Sequence, residues 1–282
     1  MFRKVSLVLL LLSVMAATSV MLVGAQETNQ DVYGRDLPAD AAPYEMQTWS
    51  VLCDSTRTET TLSSIVSVYQ RICGDTNVYD MLGDPLVNLD ENLNLIPGAA
   101  ESWEASEDGT SWLFHLRPGQ VWSDGTPLTA NDYAASYQFM VDPANAYDFV
   151  WMWQGTIQGW SESVAGDIAP EEVGVQAVDD LTLQITTDGT RPYLPGMVYF
   201  WPPLQAAALA EYGPGYILNP ETSVSSGPFI LTEFVPGDRV ILEANPTYKG
   251  YRPPFLREMR GIYGDQLNGS FLAFQNLSLI HI

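Results

Sequence analysis

Apolar positions along this chain follow two periods, and the switch between them marks out the elements. Leu62, Ile65, Val66, Tyr69 and Ile72 recur at helical spacing and predict a helix over 61–72. Before it, Tyr44, Met46, Thr48 and Val51 alternate loosely, which predicts a strand over 44–52 entering a core. A short helix is expected near 78–82. Residues 111–117 place Trp112, Phe114 and Leu116 on one strand face, between the turn dipeptides Asp108-Gly109 and Pro118-Gly119. Thr129 with Asp132 three residues later is a capping-box arrangement, and Tyr133, Tyr137 and Met140 follow on one helical face. Two hairpins are expected, 173–178 with 181–187 around Asp179-Asp180, and 229–234 with 239–243 around Pro236-Gly237-Asp238. An alanine-rich helix lies within 203–212, whereas 26–43 has no periodicity and reads as a leader. No internal repeat appears, and the mixture of strands and helices indicates α/β or α+β layers.

The first 25 residues stand apart from this pattern. Arg3 and Lys4 precede an apolar run, and Val23-Gly24-Ala25 closes it with residues a signal peptidase accepts. Cleavage after Ala25 is expected, giving a mature chain from Gln26. The alternative is an uncleaved anchor, since 5–23 nearly reaches the ~20 residues needed to span a bilayer. No cysteine follows the run directly, and Cys53 is too distant to serve as a lipidation site, so no lipobox is seen. An exported protein is expected, in the periplasm or on the outer face of the cytoplasmic membrane.

Composition narrows the function classes. Of 282 residues, 46% are hydrophobic, enough for a sizeable core. The 34 Asp and Glu against 12 Lys and Arg give a net charge of −22, which repels a polyanion, so no nucleic-acid partner is expected. Two cysteines and two histidines are too few for a zinc ribbon or an iron–sulfur cluster, and neither metal nor cofactor is expected. A disulfide between Cys53 and Cys73 is disfavoured by geometry. A helix over 61–72 would hold them ~18 Å apart, while a bridge needs Cα atoms within ~7 Å.

Three stretches carry a resemblance. They are 95–142, with IPGAAESWEASEDGTSWLFHLRPGQVWSDGTPLTANDYAASYQFMVD within it, 178–185 (VDDLTLQI), and 225–248 (SSGPFILTEFVPGDRVILEANPTY). Together they resemble the extracellular solute-binding proteins of ABC importers, family 5, the class of oligopeptide, dipeptide and nickel binders. The resemblance implies a type II periplasmic-binding-protein-like α/β fold of the large peptide-binding class. It implies a first lobe in two parts, 44–84 and 188–270, interrupted by an inserted domain over 85–187. Residues 271–282 would begin a second lobe that is otherwise missing. The ending Leu277-Ser278-Leu279-Ile280-His281-Ile282 departs from the family pattern, and the tail is expected to be an artefact rather than a native terminus.

The resemblance also implies a function: capture of oligopeptides in a cleft between lobes, and delivery to permease subunits in the membrane by a monomeric binding protein. Candidate ligand-binding residues are Ser226 and Gly227, where the glycine permits close backbone approach, and Tyr248 after the following strand. Cys53 and Asp54 are added because they end the first strand, a usual position for backbone hydrogen bonds to a ligand. The cluster Trp151, Trp153 and Trp160 has two readings, a stacking platform for a sugar or an apolar peptide side chain, or the inner face of an edge strand, and the second is preferred. His115, alone in an apolar strand, is expected to be a hydrogen-bonded structural residue.

Enzyme readings fare poorly, since no G-x-S-x-G, H-E-x-x-H or Walker motif is present. The pairs Glu171-Glu172 and Asp179-Asp180 read as solvated turns rather than glycosidase acids. The chain is therefore expected not to be an enzyme. Alternatives are an oligosaccharide or metal-chelate binder of the same fold, a truncated surface protein that transports nothing, or an exported glycosidase.

Overall fold

The computed structural model describes residues 29–54, 79–147, 149–236 and 238–264. The expected signal segment, the helix over 61–72, Cys73 and the tail over 271–282 lie outside these residues.

Two four-stranded sheets organise the chain. The first contains β1 (Thr48–Asp54), β8 (Phe229–Val235), β9 (Arg239–Ala244) and β10 (Glu258–Gly264), in the order β1-β10-β9-β8. Its β1 and β10 run parallel, while β10-β9 and β9-β8 are antiparallel. The second sheet is wholly antiparallel, in the order β4-β5-β7-β6, from β4 (Ala100–Ala105), β5 (Ser111–Leu116), β6 (Val175–Asp179) and β7 (Thr182–Thr186). A hairpin of β2 (Val87–Leu89) and β3 (Leu95–Pro97) follows the short helix α1 (Tyr79–Leu82).

Helix α2 (Ala130–Val141) packs across β6 and β7 and buries Tyr133, Tyr137, Met140 and Val141. Its start follows the local sequence closely. The Asp132 carboxylate accepts from the Thr129 backbone N–H at 2.9 Å, completing the capping box. The same carboxylate accepts from Trp122 Nε1 and from the Ala206 N–H, so it also fixes the start of α5 (Ala206–Tyr212). The remaining short helices are α3 (Trp160–Ala165) and α4 (Leu194–Met197). A continuous buried cluster runs from Leu82 and Phe114 through Tyr137 and Trp153 to Leu231 and Met259, joining the inner faces of both sheets.

Both expected hairpins form within a residue or two of the expected limits. Two other expectations need correction. Residues 44–46 are not strand: Tyr44–Met46 make a 3-10 turn, because Pro43 holds φ at −50° and its carbonyl accepts from the Met46 N–H. The segment just before it is tied to the rest of the chain. Asp31 caps the turn to Arg35, Tyr33 Oη donates to the Asn245 carbonyl, and the Arg35 guanidinium lies 4.0 Å from the centre of the Phe255 ring. The tryptophan segment is not an edge strand either, as the site description shows.

At the tip of the β2–β3 hairpin Leu93 adopts φ +64° and is 77% exposed. A γ-branched side chain in the left-handed region is strained and here packs against little. Leu93→Asn should therefore stabilise the protein by up to about 1 kcal/mol, read from the urea midpoint at unchanged slope. A lowered midpoint would show that Leu93 makes a contact worth more than the strain.

The turn before β5 carries its own acid. Hydrogen bonds from the Ser106 hydroxyl, the Thr110 N–H and the Thr110 hydroxyl hold Asp108 down to about 2. A depressed carboxyl contributes its stability above the unfolded value near 4 and loses it as pH falls through about 2. The Thr110 amide resonance should accordingly stay unshifted from pH 7 to about pH 3 and move below that. Movement near pH 4 would mean the turn does not hold the carboxylate.

Candidate functional site

The five residues proposed from sequence do not share one place. In the first sheet Thr48 pairs with Glu258, Glu258 with Glu243, and Ala244 with Phe229. The segment Ser225–Gly227 and Tyr248 therefore lie at the end of the sheet where β1 begins. Cys53 and Asp54 pair with Tyr263 and Gly264 at the opposite end. Six residue steps along β1 separate the two ends by about 20 Å.

Ser226 and Tyr248 converge on Asp84, which is buried, and Gly227 lies against Met81–Gly83 immediately before it. The Asp84 backbone N–H donates to Ser226 Oγ at 3.1 Å, and Tyr248 Oη donates to Asp84 Oδ2 at 3.2 Å. Tyr133 Oη donates to the Asp84 carbonyl at 2.7 Å, tying α2 to the same point. Burial, then the neighbouring Asp84 carboxylate, pushes both phenols well above their ordinary value, so both remain protonated donors.

Ser225 completes the joint. Its Oγ lies 2.7 Å from the Leu82 carbonyl and 2.5 Å from the Phe229 carbonyl, and it accepts from the Gly227 N–H. Asn245 Nδ2 donates to the Gly227 carbonyl. Gly227 permits a close approach, as expected, but the approaching group is the chain's own backbone. A Cβ there would sit 2.5 Å from the Met81 carbonyl oxygen and 2.7 Å from the Gly83 nitrogen. Ser226 is 3% exposed and Tyr248 6%, with no open surface left for a ligand. Sequence reasoning missed Asp84, Ser225 and Asn245. Ser225 and Asn245 stand inside the quoted 225–248 stretch, yet nothing local signals their partners.

The other end of the sheet has different character. Here β1 and β10 run parallel, and the last described pairs set Cys53-Asp54 beside Tyr263-Gly264. Carboxyl ends of adjacent parallel strands are where open α/β sheets receive ligands, because backbone groups there lie beyond the last ladder pair. Among the described residues β1 pairs on one side only, with β10.

The tryptophans separate cleanly. Val150–Trp153 is a 3-10 helix, in which residues two apart point about 120° away from each other. Trp153 is fully buried, with ring centres 5.2 Å from Tyr137, 6.2 Å from Trp160 and 5.9 Å from Trp201, while Trp151 is 60% exposed. A three-ring stacking platform is thus absent, and the edge-strand reading fails for the same reason of period. His115 Nε2 lies 3.5 Å from Glu104 Oε1 on the half-exposed face of β5, a surface pair rather than a core residue.

An open cavity of roughly 500 Å³ lies between the start of α2 and α5, with Asp124, Gln205, Glu211 and Glu221 in its wall. The Asp124 carboxylate accepts from Gln205 Nε2 and from Thr126. Among the described residues no three His, Cys, Asp or Glu side chains gather to hold a metal ion. No helix among them is long and apolar enough to cross a membrane.

Comparison with known proteins places this geometry. Residues 94–275 match the family model "Bacterial extracellular solute-binding proteins, family 5 Middle". The chain is 34% identical over 177 residues to the periplasmic oligopeptide-binding protein OppA of Escherichia coli K12, covering 62% of this chain and 32% of that protein. It is also 34% identical over 182 residues to the probable deoxycholate-binding periplasmic protein YgiS of the same organism, covering 63% and 34%. Among solved structures it superposes on an oligopeptide-binding protein of Borrelia burgdorferi with a TM-score of 0.69 at 27% identity, covering 82% of this chain and 45% of that one. Haemophilus influenzae OppA in complex with RPPGFSPFR gives a TM-score of 0.69 at 24% identity, with the same coverages. The chain spans about a third of the length of the curated relatives it matches.

Proposed function

Because the chain belongs to the bacterial extracellular solute-binding proteins of family 5, we propose that it is the exported ligand-capturing component of an ABC importer and that its cargo is oligopeptide. The fold is that of the type II periplasmic binding proteins of the OppA class, of which the chain covers part. The family match over 94–275 carries the reading. The peptide assignment draws on relatives named for oligopeptide binding in Escherichia coli and Borrelia burgdorferi.

In this proposal residues 85–187, built on the β4-β5-β7-β6 sheet, are the inserted domain. Residues 44–84 and 188–270, built on the β1-β10-β9-β8 sheet, are the first lobe. Cys53 and Asp54 offer backbone groups to an extended peptide, which takes main-chain hydrogen bonds much as an added strand does. Water-lined pockets would accept varied side chains at little cost. Ser226 and Tyr248 act as positioning residues that fix Asp84, and Gly227 lets the chain close on Met81–Gly83, so together they hold the crossing from α1 to the inserted domain. Lobe closure then presents the loaded protein, a monomer outside the cytoplasmic membrane, to the permease subunits. No covalent chemistry enters the cycle.

Thermal unfolding of the protein expressed from its complete native reading frame tests the cargo. A mixture of tri- to pentapeptides at 100 times Kd should stabilise it by about 2.7 kcal/mol. Maltotetraose and deoxycholate, run as parallel arms, should leave the midpoint unchanged. Stabilisation by either of those and not by peptides would overturn the peptide assignment while leaving the family intact.

A further inference from the structure

We draw no further inference here: the strongest candidate, the open acidic cavity between the start of α2 and α5 walled by Asp124, Gln205, Glu211 and Glu221, rests on a cluster of carboxylates with no second feature that points to a ligand.

Discussion

Gly227→Ala should destabilise the protein by about 3 kcal/mol or more, enough to unfold a marginal domain at working temperature. The added Cβ would lie 2.5 Å from the Met81 carbonyl oxygen, 2.7 Å from the Gly83 nitrogen and 2.7 Å from the Leu82 carbonyl carbon. All three are backbone atoms, so no side chain can swing aside, and α1 or the 225–227 segment must shift bodily. That shift would break the Gly227 N–H bond to the Leu82 carbonyl and loosen the contacts of Ser225 and Asn245 around it. A buried network with one member displaced leaves the others unsatisfied, at about 1–3 kcal/mol each. Chemical denaturation measures this directly. Gly34→Ala is the control, because a Cβ there meets nothing within 4 Å. Its φ of +74° limits the cost to backbone strain of about 1 kcal/mol. If Gly227→Ala were as mild as the control, the 81–83 backbone would not close on Gly227 in solution, and a ligand contact at Gly227 would return to consideration.

The second large effect is a contrast between neighbours. Trp153→Ala should cost about 3–5 kcal/mol, the range for emptying a buried aromatic site, since Trp153 is fully buried and touches Tyr137, Trp160 and Trp201. Trp151→Ala, two residues away, should change stability by less than about 0.5 kcal/mol, because that ring is 60% exposed and has one tilted neighbour, Phe149. Urea unfolding of both variants separates the readings. Equal costs would mean that the two rings share one face, as on a strand. A loss of sugar binding on removing Trp151, at unchanged stability, would instead revive the oligosaccharide alternative.

What was legible beforehand was local. The two hairpins, the Thr129–Asp132 cap and the core face of α2 follow from turn residues, alternation and helical period within a dozen residues. Such signals survive any tertiary setting. The tryptophan segment misleads because two residues apart share one face on a strand but point about 120° away from each other on a 3-10 helix. Composition cannot tell the two apart. Tyr44–Met46 alternates as a strand would, but Pro43 bends the chain immediately before it into a 3-10 turn.

The candidate site divides the same way. Gly227 was legible as a place of close approach, since only a residue without Cβ tolerates one. What approaches it was not, because Met81–Gly83 lies more than 140 residues earlier and no spacing rule connects them. The parallel pairing of β1 with β10 likewise joins Thr48 to Glu258 across the whole inserted region. The amino-acid sequence by itself determined the two long hairpins, the start and core face of α2, the family and therefore the fold. Tertiary structure alone decided that Ser226 and Tyr248 are buried around Asp84, that Gly227 is closed on by Met81–Gly83, and that Cys53 and Asp54 lie at the far end of the sheet. Burial and strand order arise from contacts between distant segments, whose free energies depend on mutual fit and leave no periodic mark on either segment alone.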